Sequence, residues 1–491
     1  MKIPTRVPLE RWNYLFAPKS VAVIGASTTP GAWGNNAVRA LLQNGGRKIY
    51  PVNSKAPEVA GVKAYKSVTK IPGEVELAVI VVPEKIVPDA MRECADKGVK
   101  AVTIISSGFG EMGGEGIRRE KEVADIARRG NIIFIGPNSM GHANTRVKLN
   151  TFGQFGEMPQ GDVAVLAQSG SMCLKIVRSL QDAGVYLSKY VSTGNEAGLT
   201  MEDYLEYLSN DEDTKVIAAY VEGLRDGRRF YELVKKITLR KPIVVLKAGG
   251  TETSARAVKS HTGALAGADE IYSAAFKQSG VIRVEDDEEL VDTVYALTNC
   301  PLPHGKHAGI LSIGGGPAAL AAEACEKEGL EIGQLEPATV TKLDGLLSNR
   351  WPHRNPVDMA GPAASEISVV SKLLFALFDD KNIDFILLIV PIIFDKDMLV
   401  SWVGLKPEDV AAYQQAQQKN ILAIREKLEE KQKPVVMMWI WRGYADPNTT
   451  SLFRKGRFIV CGNPRRAARI MKHLIWYRQY IGPAGGRHEK R

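Results

Sequence analysis

The chain has 491 residues, 45% hydrophobic and 24% charged, with a formal net charge of +9. That composition suits an ordinary globular protein with room for about three domains; the longest apolar runs, such as residues 385–394, fall short of the ~20 a membrane helix needs, and with no signal-peptide core at the start we expect a cytoplasmic protein. The basic residues are scattered through helical segments with no stripe interleaved with aromatics, which argues against nucleic acid, and the five cysteines (Cys94, Cys173, Cys300, Cys325, Cys461) show no CxxC spacing, which argues against a zinc site or a disulfide framework.

Residues 21–24 form an apolar, β-branched strand that opens into a glycine-bearing loop from Gly25 to Gly34, followed by a helix carrying Ala37, Val38, Leu41 and Leu42. Strand, glycine loop and helix in that order cradle an anion, because loop amides and the helix N-terminus both direct positive charge at it. The GxGxxG spacing of a dinucleotide loop is absent. The second strand, 48–52, runs into Asn53-Ser54-Lys55, where a nicotinamide-binding unit would place an acid for the ribose diol; a lysine there suits a phosphate. Further strands are expected at 77–82, ending in Pro83, at 101–105, ending in Ser106-Ser107-Gly108, and at 132–135, ending in Gly136-Pro137-Asn138-Ser139. Strands alternating with helices argue for a doubly wound parallel sheet whose ligand meets the carboxyl ends of the strands. Each loop taken singly reads as an ordinary βα turn; their repetition makes every exit a candidate contact.

A second unit starts near Asp162 with a strand at 163–167, which turns at Gln168-Ser169-Gly170-Ser171 into a helix with Leu174, Val177 and Leu180. Ser-Gly-Ser at a helix start offers hydroxyls and free amides to a phosphoryl group, and equally reads as a plain N-cap. Next come the strand around Tyr190-Val191, the loop Ser192-Thr193-Gly194-Asn195-Glu196, and the strand at 216–221 leading into Glu222-Gly223. The strand at 242–246 then reaches Gly249-Gly250 and a small-residue stretch around His261, flanked by Ser260, Thr262 and Gly263. Little bulk stands between that imidazole and an incoming group, which is how an exposed nucleophile is presented; a hydrogen-bonded loop histidine is the plainer reading of the residue alone. Glu222, just past a strand end, is placed to hold one ring nitrogen and leave the other free to attack.

Residues 302–307 read as a linker, and 309–313 as a strand entering Gly314-Gly315-Gly316-Pro317 and an alanine-rich helix, although no GxxxxGK[ST] follows. Asn355-Pro356-Val357-Asp358 reads as a turn, 385–390 and 435–439 as apolar strands, and 465–470 as the start of a last helix. Trp351 to Arg354 receive no role, and His353 reads as a loop histidine.

The order SVAVIGAS, YPVNSK, IGPNSMG, AQSGS, VSTGNEA, YVEG and KSHTGALAG resembles the α subunits of the nucleoside-diphosphate-forming acyl-CoA synthetases, relatives of succinyl-CoA synthetase, from about residue 10 to about residue 475. The resemblance implies an α/β protein. Its parts would be an N-terminal Rossmann-like CoA-binding domain (1–150), two flavodoxin-like domains with doubly wound parallel sheets (151–300, with the phosphohistidine loop, and 301–480), and a flexible basic tail (481–491). It implies that coenzyme A is held at Gly25, Ser27, Gly31, Gly34, Asn53, Lys55, Val82, Pro83, Ser107, Gly108 and Asn138. It also implies that His261 is phosphorylated, that Glu222 steadies it, and that Ser169, Gly170 and Ser171 receive the phosphate. The reaction implied is acyl-CoA + ADP + phosphate ⇌ acid + CoA + ATP. Nothing in the sequence resembles an ATP-grasp module, so ATP or ADP and Mg²⁺ are expected on a β subunit, in a heterotetramer of two α and two β subunits.

Two rival readings remain. A CoA-binding sensor or scaffold would need only the first domain, so the combination of His261, Glu222 and the Ser-Gly-Ser start disfavours it. A nicotinamide-dependent reductase is disfavoured by Lys55 and by the altered glycine spacing.

Overall fold

Short runs of β-branched and small apolar residues build the first sheet: β1 (Ser20–Ile24), β2 (Lys48–Val52), β3 (Leu77–Ile80), β4 (Ala101–Ile104) and β5 (Ile133–Ile135), all parallel in the order β2-β1-β3-β4-β5. Every residue of β1, β3 and β4 is buried, as expected for strands covered on both faces. The structure, a computed structural model, describes residues 3, 5–43, 46–153, 156, 158–254, 256, 269–359, 367–389, 396–401, 404–438 and 447–482. It divides into two compact units, Met1–Leu290 and Val291–Arg491.

The first unit holds a second sheet as well. Its strands are β6 (His142–Asn144), β7 (Leu149–Asn150), β8 (Gln160–Ala167), β9 (Leu187–Ser192), β10 (Val216–Val221), β11 (Ile243–Lys247) and β12 (Ile282–Val284), in the order β12-β11-β10-β8-β9-β6-β7. Five of these run parallel, while β6 and β7 add an antiparallel edge, so the sheet is mixed and not purely parallel. These two strands end at residue 150, where the sequence suggested a domain boundary, yet they belong to the second sheet. The polar residues of β6 are buried because His142 Nε2 lies 2.8 Å from Leu15 O and Asn144 Nδ2 donates to Phe16 O at 2.9 Å, which ties that strand to helix α1 (Leu9–Phe16).

Helix α2 (Trp33–Gln43) follows the first glycine loop and packs on β1 and β2 through Ala37, Val38 and Leu41. Helix α3 (Val87–Lys97) has a proline in its first turn and ends at Gly98 in the left-handed region (φ 75°), the usual asymmetry of helix ends. Helix α4 (Gly114–Arg129) pairs with α3. In the second layer α5 (Gly170–Asp182) buries Cys173, Ile176, Val177 and Leu180, a stripe at helical spacing, against β8 and β9. Helix α6 (Met201–Asn210) starts with a capping box between Thr200 and Asp203.

The second unit contains one parallel sheet of β13 (His307–Ser312), β14 (Glu331–Ile332), β15 (Val357–Asp358), β16 (Phe385–Ile389), β17 (Val435–Met438) and β18 (Ile459–Cys461). The Asn355–Asp358 stretch is thus not a free turn, since Val357 and Asp358 pair with β13. The reason is Asn355, whose Nδ2 donates to Ala308 O (2.7 Å) and Gly333 O (2.8 Å) while its Oδ1 accepts from Ile310 N (2.9 Å), so the side chain does the work of a strand neighbour. Trp351 is a core residue whose Nε1 donates to Asp344 Oδ1 at 2.9 Å; the exposed His353 approaches the same oxygen at 2.7 Å. All five cysteines are free thiols, and burial pushes Cys173, Cys325 and Cys461 up to about 12, which suits packing residues. The last helix (Pro464–Ile481) covers the start of the expected tail, whose residues 483–491 lie outside the described residues. Among the described residues no helix is long and apolar enough to cross a membrane.

Candidate functional site

In the first sheet the chain leaves β1 for β2 on one side and returns to β3 on the other, so the strand ends part between β1 and β3, which is where open α/β sheets bind ligands. A cleft of about 450 Å³ opens there, between the loop after β1 and the exits of β3 and β4. Gly25 sits at φ +91°, and a Cβ on it would lie 2.3 Å from Val81 O; a Cβ on Gly34 would lie 2.1 Å from Gly25 O. Only glycines allow the first turn of α2 to fold back over the end of β1, and that turn leaves orphan amides beside the cleft.

Of the residues expected to hold CoA, Gly25, Ser27, Gly34, Val82, Pro83 and Ser107 line this cleft. Gly31, Asn53, Lys55, Gly108 and Asn138 are not among its lining residues. Asn53 closes its own turn, donating to Ala26 O (2.7 Å) and accepting from the Lys55 and Ala56 amides (2.8 Å each), while Lys55 points into solvent. The Gly108 amide donates to Glu111 Oε1 at 2.6 Å. Asn138, at φ +60°, donates its amide to Ser106 O (2.9 Å) and its side chain to Asn195 Oδ1 (3.3 Å). Glu84 and Ile105, which the sequence did not single out, also lie on the wall, together with Trp33 of the glycine loop and Ser106 of the strand exit already named. Trp33 is 48% exposed and meets Phe152 edge-on at 5.1 Å, an aromatic lip whose one signal in sequence was its place beside Gly34.

The exits of the second sheet are built differently. Ser169 is the N-cap of α5; its Oγ accepts from Met172 N (3.4 Å) and lies 3.1 Å from Ser171 Oγ, so two hydroxyls and the free amides of the helix start face one spot. Gly170 is required there because a Cβ would stand 2.1 Å from Met140 Cγ. On the neighbouring strand exit Glu222 is buried (4% exposed), and Lys247, at the end of β11, donates to Glu222 O at 2.9 Å with its ammonium 4.5 Å from the Tyr272 ring centroid. Burial pushes the Lys247 ammonium below its ordinary value.

Gln168 joins these loops. Its Oε1 accepts from the amides of Glu222 (2.5 Å) and Gly223 (3.0 Å), and its Nε2 donates to Gly223 O (2.7 Å) and Glu196 Oε1 (3.0 Å). Glu196, quoted in the sequence only as a loop residue, is 4% exposed, and desolvation with the nearby Glu202 charge pushes its carboxyl up to about 7. The loop continuing from it lies along the end of the first sheet: Asn195, Ala197 and Leu199 donate their amides to Pro137, Gly136 and Phe134 carbonyls at 2.9, 3.1 and 2.9 Å. Ser169, Gly170, Ser171 and Glu222 are therefore on adjacent exits of one sheet, and that sheet abuts the one bearing the cleft. His261 lies outside the described residues. The described residues contain no group of three or more His, Cys, Asp or Glu able to hold a metal ion.

Two family models match the chain: a CoA binding domain over residues 19–145 and a succinyl-CoA ligase like flavodoxin domain over residues 160–297. The chain is 39% identical over 471 residues to the acetate–CoA ligase [ADP-forming] II subunit alpha of Pyrococcus furiosus, covering 96% of this chain and 98% of the other. It is 45% identical over 360 residues to the I subunit alpha of the same organism, covering 71% and 76%. Among solved structures it superposes on the dinucleotide forming acetyl-coenzyme A synthetase 1 of Ca. Korarchaeum cryptofilum, in complex with phosphate and ADP, with a TM-score of 0.83 at 29% identity, covering 96% and 97% of the two chains.

Proposed function

The chain belongs to the α subunits of the ADP-forming acid–CoA ligases, in the succinyl-CoA ligase-like family, and from that premise we propose that its two site regions divide the reaction acyl-CoA + ADP + phosphate ⇌ acid + CoA + ATP between them. The cleft of the first sheet holds CoA and its thioester, with the glycine loop and the first turn of α2 supplying amides to the phosphates. Its volume and amide-rich wall fit part of the nucleotide end of CoA. The proposed division is a CoA-binding domain at 1–150, a phosphoryl-carrying domain at 151–300 and a third domain at 301–480.

Phosphate attacks the thioester carbonyl, an acyl phosphate forms, and the C–S bond breaks with CoA as leaving group. The unprotonated nitrogen of His261 then attacks phosphorus, the P–O bond to the acyl group breaks, and the carboxylate leaves. Serine hydroxyls and amides at the start of α5 offset the charge on the transferring group, and Glu222 holds the other ring nitrogen and balances the imidazolium that forms. An α subunit works with a partner; here the partner supplies an ATP-grasp site for ADP and Mg²⁺. There a β-phosphate oxygen of ADP attacks phosphorus, the P–N bond to His261 breaks and ATP leaves, and no step on this chain is assigned to a metal. The acid is a small carboxylate, acetate first, the acid named for both Pyrococcus relatives.

The observation that carries this reading is the placing of the paired serine hydroxyls of the α5 N-terminus and the buried Glu222 on neighbouring strand exits. The test is ATP formation from acetyl-CoA, ADP, phosphate and Mg²⁺. Activity is expected only when the chain is joined by its partner subunit, and sustained synthesis by the purified chain alone would contradict the division of labour.

A further inference from the structure

A primary amide buried among donors and acceptors has two orientations, related by a flip, and its neighbours decide between them. For Gln168 three neighbours are backbone groups of Glu222 and Gly223; the fourth is the Glu196 carboxyl, which also accepts from Thr193 Oγ1 at 2.9 Å. With Nε2 committed to Glu196 Oε1 and Gly223 O, the amide oxygen must face the Glu222 and Gly223 amides. The flipped form would set two N–H donors against two others and an oxygen against a carboxyl oxygen. Glu196 is itself held at φ 57°, a left-handed conformation uncommon for a side chain of its size, which aims its carboxyl inward. Facing it are the Gln168 amide from the exit of β8, Thr193 of its own loop, and Glu202, Tyr204 and the Met201 amide from α6; the nearby Arg225 guanidinium donates to Asn195 O.

We infer that Glu196 is a positioning residue for phosphoryl transfer, fixing through Gln168 the backbone that presents Glu222. This rests on the reading of Glu222 as the carboxylate that orients the phosphoryl carrier. Glu196 touches no reacting atom; it braces the Gln168 amide that accepts from the Glu222 and Gly223 amides. Burial beside Glu202 keeps the carboxyl neutral at acidic pH and ionises it near neutrality, and the bond to Gln168 strengthens when the acceptor is charged. The strength with which Glu196 holds Gln168 therefore changes over that pH range.

The test compares Glu196→Ala, Glu196→Gln, Glu222→Gln and the Glu196→Ala/Glu222→Gln pair in the enzyme assembled with its partner subunit, with kcat, KM and the pH profile of ATP formation as readouts. Glu196→Ala should lower kcat by roughly 10- to 100-fold, the range for loss of an outer partner, with KM for the thioester little changed. Glu196→Gln keeps an acceptor oxygen, so it should recover at least about tenfold of that loss while abolishing the inflection near pH 7. In the Glu222→Gln background, Glu196→Ala should cost less than about threefold, because a residue acting through Glu222 has nothing left to position. Equal losses in both backgrounds, with a measurable loss for Glu222→Gln alone, would overturn this inference and leave the Glu222 assignment standing. Wild-type turnover in Glu222→Gln alone would sink both. If Glu196→Ala does not fold, as judged by lost CoA binding, the Gln variant decides: an inflection that persists in it overturns the proposal.

Discussion

The cleft of the first sheet and the strand exits of the second use the same strand-loop-helix grammar, yet they are made of different material. The cleft is largely backbone: Gly25 and Gly34 let main chain approach main chain, and the side chains on the wall, such as Trp33 and Ser107, are partly or well exposed. The second site is made of buried polar side chains, with Gln168, Glu196, Glu222 and Lys247 each under a tenth exposed and bonded to one another's loops. A surface that only binds anions can be assembled from amides, which the fold supplies at little cost. A centre that transfers a phosphoryl group needs charges withdrawn from water, and these must be held by a network that leaves the fold less stable than an apolar core would.

Two substitutions sharpen that contrast. Gly34→Ala strikes the backbone-built site, since its Cβ would fall 2.1 Å from Gly25 O and the loop must open. We expect CoA affinity to fall by about 10- to 100-fold by calorimetry, the scale of a lost set of amide contacts to phosphate, while the second site stays folded. Unchanged affinity would remove the cleft from CoA binding.

Glu196→Gln strikes the side-chain-built site and should raise stability. In the folded protein the Glu196 carboxyl titrates near 7, above the ordinary 4.5, so between those values the folded state holds a proton that the unfolded chain has released. Stability from this group is therefore lost as pH rises from about 4.5 through 7, and the cost at pH 8 is on the order of 1–3 kcal/mol. The Gln variant does not titrate, so urea unfolding should find it more stable than the wild type by that amount at pH 8 and no more stable at pH 4. A difference that does not change with pH would show that Glu196 is not held neutral by burial.

The same contrast explains what could be read from the amino acids. Gly25 and Gly34 are visible because a required conformation leaves glycine behind, and Val82, Pro83 and Ser107 because strand ends are visible. Asn53 and Asn138 were read as CoA contacts from their place at strand exits; in the structure the first closes its own turn and the second bridges to Asn195, roles that share a letter with ligand binding. Gln168 and Glu196 stood in the quoted loops without a role, since nothing in a loop's composition says that its carboxyl is buried against a second one. The strands at 142–150 escaped because polar residues there are buried by carbonyls from α1, far away in sequence. The sheets themselves were legible because strands such as Leu77–Ile80, Val216–Val221 and Phe385–Ile389 are apolar runs, and the Asn355–Asp358 stretch was misread because an asparagine side chain substitutes for a strand partner there.

The central claim is that one region binds CoA and another, reached through His261, carries the phosphoryl group. It is tested most directly by the transfer of label from radioactive phosphate to this chain in the presence of acetyl-CoA, comparing the wild type with His261→Ala in the assembled enzyme, with CoA affinity measured on the same samples. The account predicts acid-labile label on the wild-type chain and none on the variant, with CoA affinity retained within about threefold, under 1 kcal/mol. Label on the variant at the wild-type level, or a folded variant that no longer binds CoA, would contradict it.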